Sequence, residues 1–396
     1  MRKNKKDLCK LFTYISLLLL LFTTGCRPKA ATDTETVSID EKFKSVFYSD
    51  SEGISAADGL FSIPLPDGSS VFLLGDCFIG KAKDSTLDIN TIMLRNAFNL
   101  INKDNTRATA IIRGTYDNPL TLMEPINEPG DTTCRWYWPA HGFIKDDTIY
   151  VFALSLFNYP YTVAKEGKTK DEKDELTKVI FSFKLSHIDL LSFSYPELKH
   201  LETHKVEFDY PANQIDFGNC VMVDKGYIYV YGTKNYEDIS KIHIARVPFS
   251  SHSFYKDWEY FTGKTWDKDI SRSEPLDIDI PVSEQFSIFR YRNKYILLTQ
   301  EKGGADIYTY ISDFPNKDFH NKQFVYHTIE AESDTNKFVF SYNALAHKQY
   351  IENNQLLVSY CVNSLNTKDL FDNIDNYRAR FLRVPMSLIL REKKQK

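Results

Sequence analysis

The chain has 396 residues, a formal net charge of −4 and 26% charged residues. This slightly acidic balance argues against nucleic acid as a partner. Aromatic residues make up 14% of the chain, and 24 residues are Tyr. Such residues favour β-strands and also line sugar-binding clefts.

The N-terminal segment has the pattern of a bacterial lipoprotein signal. A basic start precedes a 12-residue apolar run, Leu11–Phe22, which is short for a membrane span. Gly25 directly before Cys26 resembles the lipobox, although Thr23 stands where Leu is usual. We therefore predict a signal peptide over 1–25, lipidation of Cys26 and a polar tether over 26–45. The protein would then be exported and lipid-anchored to the outer membrane, on its periplasmic or cell-surface side. The alternative is an ordinary secretory signal with an incidental Cys.

Five hairpin-like segments recur along the rest of the chain. Each has two apolar, aromatic-rich runs around a polar turn, which is the signal of a β-hairpin. The segments are Gly59–Phe72, His141–Leu154, Gly218–Tyr231, Phe286–Thr299 and Leu345–Ser359. They begin roughly 60 to 80 residues apart, a spacing typical of repeat architectures. We predict an all-β fold, a single-domain five-bladed β-propeller over 46–390. The expected blade cores lie near 58–112, 138–196, 216–263, 285–328 and 342–386.

Other features of the chain are less specific. Residues 164–178 are highly charged, so we expect a solvated excursion in the second blade. Cys77, Cys220 and Cys361 lie in expected strands and are predicted to be buried thiols, and no CxxC spacing indicates zinc. We predict no cofactor and a monomer, and the sequence leaves open a calcium or other ion on the propeller axis.

Four acidic residues flank apolar strand sequence: Asp58, Asp76, Asp216 and Glu301. An acid in such a place is costly unless it is paired or useful. Glycoside cleavage needs one carboxylic acid to protonate the leaving oxygen and a second carboxylate to activate water or attack the sugar. A third carboxylate can raise the pKa of its neighbours. We predict that these acids converge on one axial pocket.

The expected roles follow from that chemistry. Asp58 would be the general base or nucleophile, Asp216 the general acid, and Glu301 a positioning or pKa-tuning group, with Asp76 close behind. The acid and base roles can be exchanged, since the sequence fixes neither distance nor burial. Turn capping by Asp58 and blade hydrogen bonds from Asp76 are the structural alternatives.

A further set of residues is predicted to contact the sugar at the rim of the pocket. These are Arg95, Asn96, Trp138, His141, Gln285, Asn343 and His347. The alternative for each histidine is a buried structural role, and for Arg95 an ion pair inside the blade.

At these residues the chain resembles exported bacterial five-bladed propellers long catalogued as a domain of unknown function. That family is similar to furanosidase-type glycoside hydrolases of arabinan and fructan breakdown, and more closely to propellers linked to D-arabinan cleavage. The resemblance covers nearly all of the mature chain, through segments such as Asp58–Ile79, Trp136–Gly142, Thr299–Glu301 and Tyr342–His347. His141, Phe217 and Lys348 depart from the family pattern.

Two functions remain open at this point. The resemblance implies an exported glycoside hydrolase that acts on a furanose-containing polysaccharide such as arabinan. The alternative is a non-catalytic carbohydrate-binding propeller lipoprotein of a polysaccharide-uptake system. Two carboxyl groups about 5 Å apart would indicate retaining chemistry, and a separation of about 6.5–9.5 Å would indicate inverting chemistry.

Overall fold

The computed structural model describes residues 36–126, 132–158, 182–208, 210–237, 239–332 and 338–391. The predicted signal peptide, Cys26 and the charged segment 164–178 lie outside the described residues. Within the described part of the chain, no helix is both long and apolar enough to cross a membrane.

The described strands form five antiparallel blades around one axis, which confirms the predicted five-bladed β-propeller. Strand β1 (Ser38–Ile39) and helix α1 (Glu41–Phe47) come first in the chain. Blade 1 then contains β2 (Ile54–Pro64), β3 (Ser70–Ile79), β6 (Met93–Leu94), β7 (Ala97–Ile101) and β8 (Ala108–Ile111). Its loops carry two short ribbons, β4 (Ala82–Lys83) with β5 (Thr86–Leu87), and β9 (Arg113–Gly114) with β10 (Pro119–Leu120).

The next three blades follow in chain order. Blade 2 contains β11 (Arg135–Lys145), β12 (Thr148–Asn158), β13 (Phe183–Ser194) and β14 (His200–Lys205). Blade 3 contains β15 (Asp216–Asp224), β16 (Tyr227–Tyr236), β17 (Ile239–Pro248), β18 (Glu259–Phe261) and β19 (Trp266–Asp267). Blade 4 contains β20 (Ser287–Tyr291), β21 (Lys294–Gln300), β22 (Asp306–Ser312) and β23 (His320–His327).

Blade 5 combines the two ends of the propeller. It contains β24 (Val339–Glu352), β25 (Gln355–Ser364), β26 (Arg380–Pro385) and, at its outer edge, β1. The remaining helices are short: α2 (Tyr210–Asn213), α3 (Lys368–Asp372), α4 (Met386–Ile389), and the 3-10 turns η1 (Ile270–Arg272), η2 (Ile329–Glu332) and η3 (Ile374–Tyr377).

The hairpins between inner strands are fixed by their turn residues. Lys225–Gly226 and Asn353–Asn354 are two-residue turns in which both residues have positive φ. This is type I′ geometry, whose twist matches that of the flanking strands and which Gly and Asn tolerate well. The polar turns that mark the repeats in the sequence therefore set the register of the blades.

The N-terminal segment closes the ring. Strand β1 pairs with β26, and Phe43 and Phe47 of α1 are buried in the core. Asp40 accepts a hydrogen bond from the Phe43 amide at 2.9 Å and an ion-paired bond from Arg383 Nε at 2.7 Å. The predicted start of the propeller at residue 46 is therefore too late, because residues 38–47 already belong to it. A two-residue strand in a polar stretch leaves no periodic pattern in the sequence.

Buried hydrogen bonds connect the inner strands at one level of the axis. His141 accepts the Val221 amide at Nδ1 (2.9 Å), so Nε2 carries the proton and donates to the Ser62 carbonyl at 3.2 Å. His347 bonds Ser62 Oγ at 2.8 Å and Ser359 Oγ at 2.9 Å. These contacts connect β2, β11, β15 and β24.

The fifth inner strand joins the same layer. The Ile288 amide donates to Cys220 Sγ at 3.1 Å, and the Ala346 amide donates to Ser287 Oγ at 2.9 Å. Strand β20 is thereby connected to both β15 and β24. We call this layer of inner-strand contacts the girdle.

The prediction that His141 and His347 contact sugar at the rim is wrong, because both imidazole rings are bonded to protein in the girdle. Burial lowers the pKa of His141 to about 4 and that of His347 to about 3, so both are neutral. Only 1% of the His347 surface is exposed. The structural alternative holds for both residues, and their role is to connect blades.

Candidate active site

The candidate site lies at the ends of the inner strands that precede the girdle. Asp58, Trp138, Asp216 and Tyr342 each come three to five residues before the girdle residue of their own strand. On this side of the girdle Tyr342 bonds Asp58 and Trp138 bonds Asp76, so β24, β2 and β11 run in the same sense. The charge of Glu284 acts on Asp216, and Ser283 beside Glu284 bonds Asn343 beside Tyr342, which places Asp216 on this side too. The four side chains, all half-buried, therefore lie at one face of the propeller, which we call the mouth.

Two aspartates on adjacent strands of blade 1, Asp58 and Asp76, lie together at the mouth, and we call them the acid pair. Asp58 lies on β2 and Asp76 on β3, where the two strands pair. Burial and the negative charge of Asp76 raise the pKa of Asp58 to about 7, against the opposing hydrogen bond from Tyr342. The Tyr342 hydroxyl donates to Asp58 Oδ2 at 2.8 Å. Asp58 is therefore a carboxylic acid that keeps its proton close to neutral pH.

Asp76 has a different environment from Asp58. Arg95 Nη1 lies 3.1 Å from Asp76 Oδ2, and Trp138 Nε1 donates to Asp76 Oδ1 at 3.1 Å. Burial raises the pKa of Asp76, but Arg95 and Trp138 favour its charged form. These two partners make Asp76 the ionised member of the pair, and its negative charge favours the protonated form of Asp58.

A glycine makes room for the Asp58 carboxyl. A Cβ atom on Gly75 would lie 2.4 Å from Asp58 Oδ1. The Tyr377 hydroxyl donates to the Asp76 carbonyl at 3.2 Å, and so holds the same strand. The roles of Gly75, Tyr342 and Tyr377 were not predicted from the sequence. The Gly-Asp dipeptide indicates a special position at Gly75, but no sequence pattern identifies the two tyrosines of the last blade as its neighbours.

The third predicted acid, Asp216, lies at the start of β15 in blade 3. Tyr210 Oη donates to Asp216 Oδ1 at 2.8 Å. Burial raises the pKa of Asp216 to about 6, and the nearby charges are Glu284, which raises it, and Lys302, which lowers it. Glu284 and Lys302 form an ion pair with a distance of 2.5 Å. Glu284 and Lys302 belong to the segment of blade 4, and their proximity to Asp216 was not predicted from the sequence.

Glu301 does not occupy the place predicted for it. Its charge acts on Tyr308 and Tyr310 of the third strand of blade 4, raising the pKa of both. The charges that act on Asp216 are instead those of Glu284 and Lys302. We therefore do not assign Glu301 to the acid–base group.

The predicted substrate residues of blades 1 and 2 are mostly engaged with protein. Asn96 is fully buried and makes hydrogen bonds with Met123 and Tyr137, so its prediction as a substrate ligand is wrong. The Arg95 side chain is 40% exposed, pairs with Asp76 and lies 4.8 Å from the centre of the Trp136 ring. The Trp138 N–H is used by Asp76, which makes Trp138 a support for the acid pair.

Two other predicted substrate residues have unused polar atoms. Gln285, just before β20, has a buried Oε1 with no hydrogen-bond partner among the described residues. Asn343 has a left-handed backbone (φ 54°), and its Oδ1 accepts a hydrogen bond from Ser283 Oγ at 2.8 Å. A buried acceptor without a partner is costly, so Gln285 is suited to receive a ligand hydroxyl.

A model built from related sequences matches residues 40–387 of the chain, and its description is a domain of unknown function, DUF5005. The chain belongs to the DUF5005 family. No curated protein shows significant sequence similarity to it.

Solved structures share the propeller fold with this DUF5005 member. A protein described as a proposed hydrolase from Bacteroides ovatus ATCC 8483 is 17% identical, with a TM-score of 0.68, over 89% of this chain and 92% of that one. A family 117 glycoside hydrolase, Zg3597 from Zobellia galactanivorans, is 11% identical with a TM-score of 0.44, over 90% and 93%. A GH43_1 enzyme from Xanthomonas citri is 10% identical with a TM-score of 0.43, over 86% and 91%. At these identities the first likeness shows the fold alone, and the two weaker ones add nothing to it.

The cysteines of the DUF5005 chain do not form disulfides in the described region. Cys77, Cys220 and Cys361 are buried free thiols, as predicted, and Cys134 is exposed. Burial raises the pKa of the three buried thiols, which keeps them protonated. Within the described residues, no three His, Cys, Asp or Glu side chains are close enough to bind a metal ion together.

Proposed function

We propose that the protein is a glycoside hydrolase that cleaves a furanose-containing polysaccharide such as arabinan. The observation that carries this proposal is the pair of Asp58 and Asp76 at the mouth. Asp76 keeps Asp58 protonated close to neutral pH, which is what the general acid of glycosidic cleavage requires, and Asp216 at the same face is available as the second carboxylate.

The pKa order favours an exchange of the roles expected from the sequence. Asp58, with a pKa of about 7, is the better general acid and would protonate the leaving oxygen. Asp216, with a pKa of about 6, is mostly ionised at neutral pH and would activate water or attack the sugar. Asp76 would hold the proton on Asp58 through its charge, and Arg95 would keep Asp76 ionised.

The substrate class has separate support. The choice of a furanose polymer rests on the sequence resemblance, whereas Gln285 Oε1 and the Asn343 side chain offer polar groups for sugar hydroxyls. Export and lipid anchoring through Cys26 rest on the signal pattern of residues 1–26.

The proposal is tested by incubating the purified mature protein with arabinans, fructans and xylans and analysing the products. We expect release of furanose oligomers or monomers. Asp216→Asn should reduce turnover about 10²- to 10⁴-fold, because general acid–base catalysis contributes that much. Tyr137→Phe, which removes the buried hydrogen bond between Tyr137 and Asp189 in blade 2, is the matched control. Binding of a polysaccharide without any product would instead support the carbohydrate-binding alternative.

A further inference from the structure

Two adjoining clefts lie on blade 1, outside the acid pair. One has a volume of about 380 Å³ and the other about 300 Å³. They share Ile79, Lys81 and Asp117 as lining residues, so they form one elongated groove. One wall is the loop 80–92, and the other is the β9–β10 ribbon. We call it the blade 1 groove.

The blade 1 groove begins at the end of the strand that carries Asp76. Ile79 is the last residue of β3, three positions after Asp76, which corresponds to about 10 Å along a strand. Phe78, next to Ile79, packs edge-to-face on Tyr377 with 6.0 Å between ring centres. Tyr377 in turn bonds the Asp76 carbonyl. The groove therefore begins about 10 Å from the acid pair along β3, a distance that a linear oligosaccharide can span.

The lining of the groove has the chemistry of a neutral sugar site. The side chains of Glu52, Lys81 and Asp117 face it without an ion-pair or hydrogen-bond partner among the described residues. Tyr116 is 37% exposed and Ile92 is 59% exposed. Carboxylates and an ammonium group can bond vicinal hydroxyls, and a partly exposed ring can pack on a sugar face. Three lining carboxylates, those of Glu52, Asp88 and Asp117, against one lysine disfavour a uronic acid polymer.

The groove wall is held in an uncommon backbone conformation. Gly80 and Lys81, which line the groove, have positive φ of 52° and 63°. Non-glycine residues rarely adopt this conformation. The positive φ of Asp84 and Ser85 is that of the two-residue turn between β4 and β5. The Gly80 amide bonds the Gly53 carbonyl at 2.8 Å, and a Cβ on Gly80 would lie 2.5 Å from a backbone oxygen.

We propose that the blade 1 groove is an outer subsite that binds the neutral oligosaccharide chain next to the bond cleaved at the acid pair. The inference rests on the proposed function, since it assigns the groove to the same substrate. It predicts that the protein prefers long chains to short ones and that the preference depends on Tyr116.

The test compares Tyr116→Ala with wild type on two substrates. One is a nitrophenyl arabinofuranoside, which is too short to reach the groove, and the other is a linear arabinan oligomer long enough to span the distance of about 10 Å from the acid pair to the groove. We expect KM for the oligomer to rise about 3- to 10-fold, as for the loss of one aromatic contact, with kcat unchanged. Activity on the short substrate should not change. Phe324→Ala, which removes a 52% exposed ring from blade 4, is the control.

The outcomes separate the groove from the proposed function. An unchanged KM for the oligomer, or an equal loss on both substrates, would overturn the groove as an outer subsite while leaving the hydrolase proposal intact. If neither substrate is cleaved, the hydrolase proposal fails. Calorimetric titration with the same oligomer then tests whether the groove binds it. Weaker binding by Tyr116→Ala than by wild type would then support the groove, and equal or absent binding would overturn it.

Discussion

The hydrogen bond from Tyr342 to Asp58 offers a direct perturbation of the acid pair. Tyr342→Phe removes the hydroxyl that donates to Asp58 Oδ2 at 2.8 Å and leaves the ring in place. This bond favours the ionised carboxylate, so its loss should raise the pKa of Asp58 above its present value of about 7. A hydrogen bond to a charged group contributes about 1.5–3 kcal/mol, and 1.36 kcal/mol corresponds to one pKa unit. Taking the lower end of this range, we expect a rise of about one unit.

The assay is a carbon-detected NMR titration of protein labelled at its aspartate carboxyl groups. The Asp58 signal is assigned by its absence in Asp58→Asn. Tyr137→Phe removes an equivalent buried bond to Asp189 in blade 2 and should leave the Asp58 titration unchanged. An unchanged or lowered pKa of Asp58 in Tyr342→Phe would refute the account of the pair, as would an equal rise in the Tyr137→Phe control.

Four further outcomes are expected. Gly75→Ala should reduce turnover more than tenfold with the fold intact by circular dichroism, because the new methyl group would displace the Asp58 carboxyl. Asp58→Asn should stabilise the protein by about 1–3 kcal/mol at pH 8, and hardly at pH 4, in urea unfolding. The raised folded-state pKa of Asp58 makes the wild type lose stability as pH rises from about 4 through about 7, and Asn removes this loss. His347→Ala should cost about 2–4 kcal/mol in the same assay without changing KM, because a buried side chain with two hydrogen bonds is lost from the girdle. Asp40→Ala should cost about 2–4 kcal/mol by removing a helix cap and a half-buried ion pair, whereas the exposed Asp88→Ala should cost under about 1 kcal/mol.

The blades could be predicted from the sequence because their hairpins are local. Apolar runs around a Lys-Gly or Asn-Asn turn specify strand, turn and register within about 15 residues, so the five copies gave the correct number of blades. Ring closure could not be predicted in this way. Strand β1 has only two residues and pairs with a strand some 340 residues later, and neither local pattern nor turn chemistry marks such a contact.

The same distinction between local and distant contacts explains which site residues could be predicted from the sequence. Asp58, Asp76 and Asp216 were found because each stands beside an apolar strand, where an acid is costly. Tyr342, the partner of Asp58, comes from a blade that is distant in sequence and could not be assigned. His141 was misplaced because β11 begins at Arg135, six residues earlier than expected, which puts this histidine in the middle of the strand.

The assignment of Asp58 as the general acid is tested most directly by the leaving-group dependence of Asp58→Asn. On an arabinan oligomer, whose leaving group needs a proton, we predict a loss of turnover of about 10²- to 10⁴-fold. On a dinitrophenyl arabinofuranoside, whose leaving group departs without a proton, the loss should be much smaller, under about tenfold by the same reasoning. An equal loss on both substrates, or full activity on the oligomer, would contradict the role of Asp58 as the acid that cleaves the glycosidic bond.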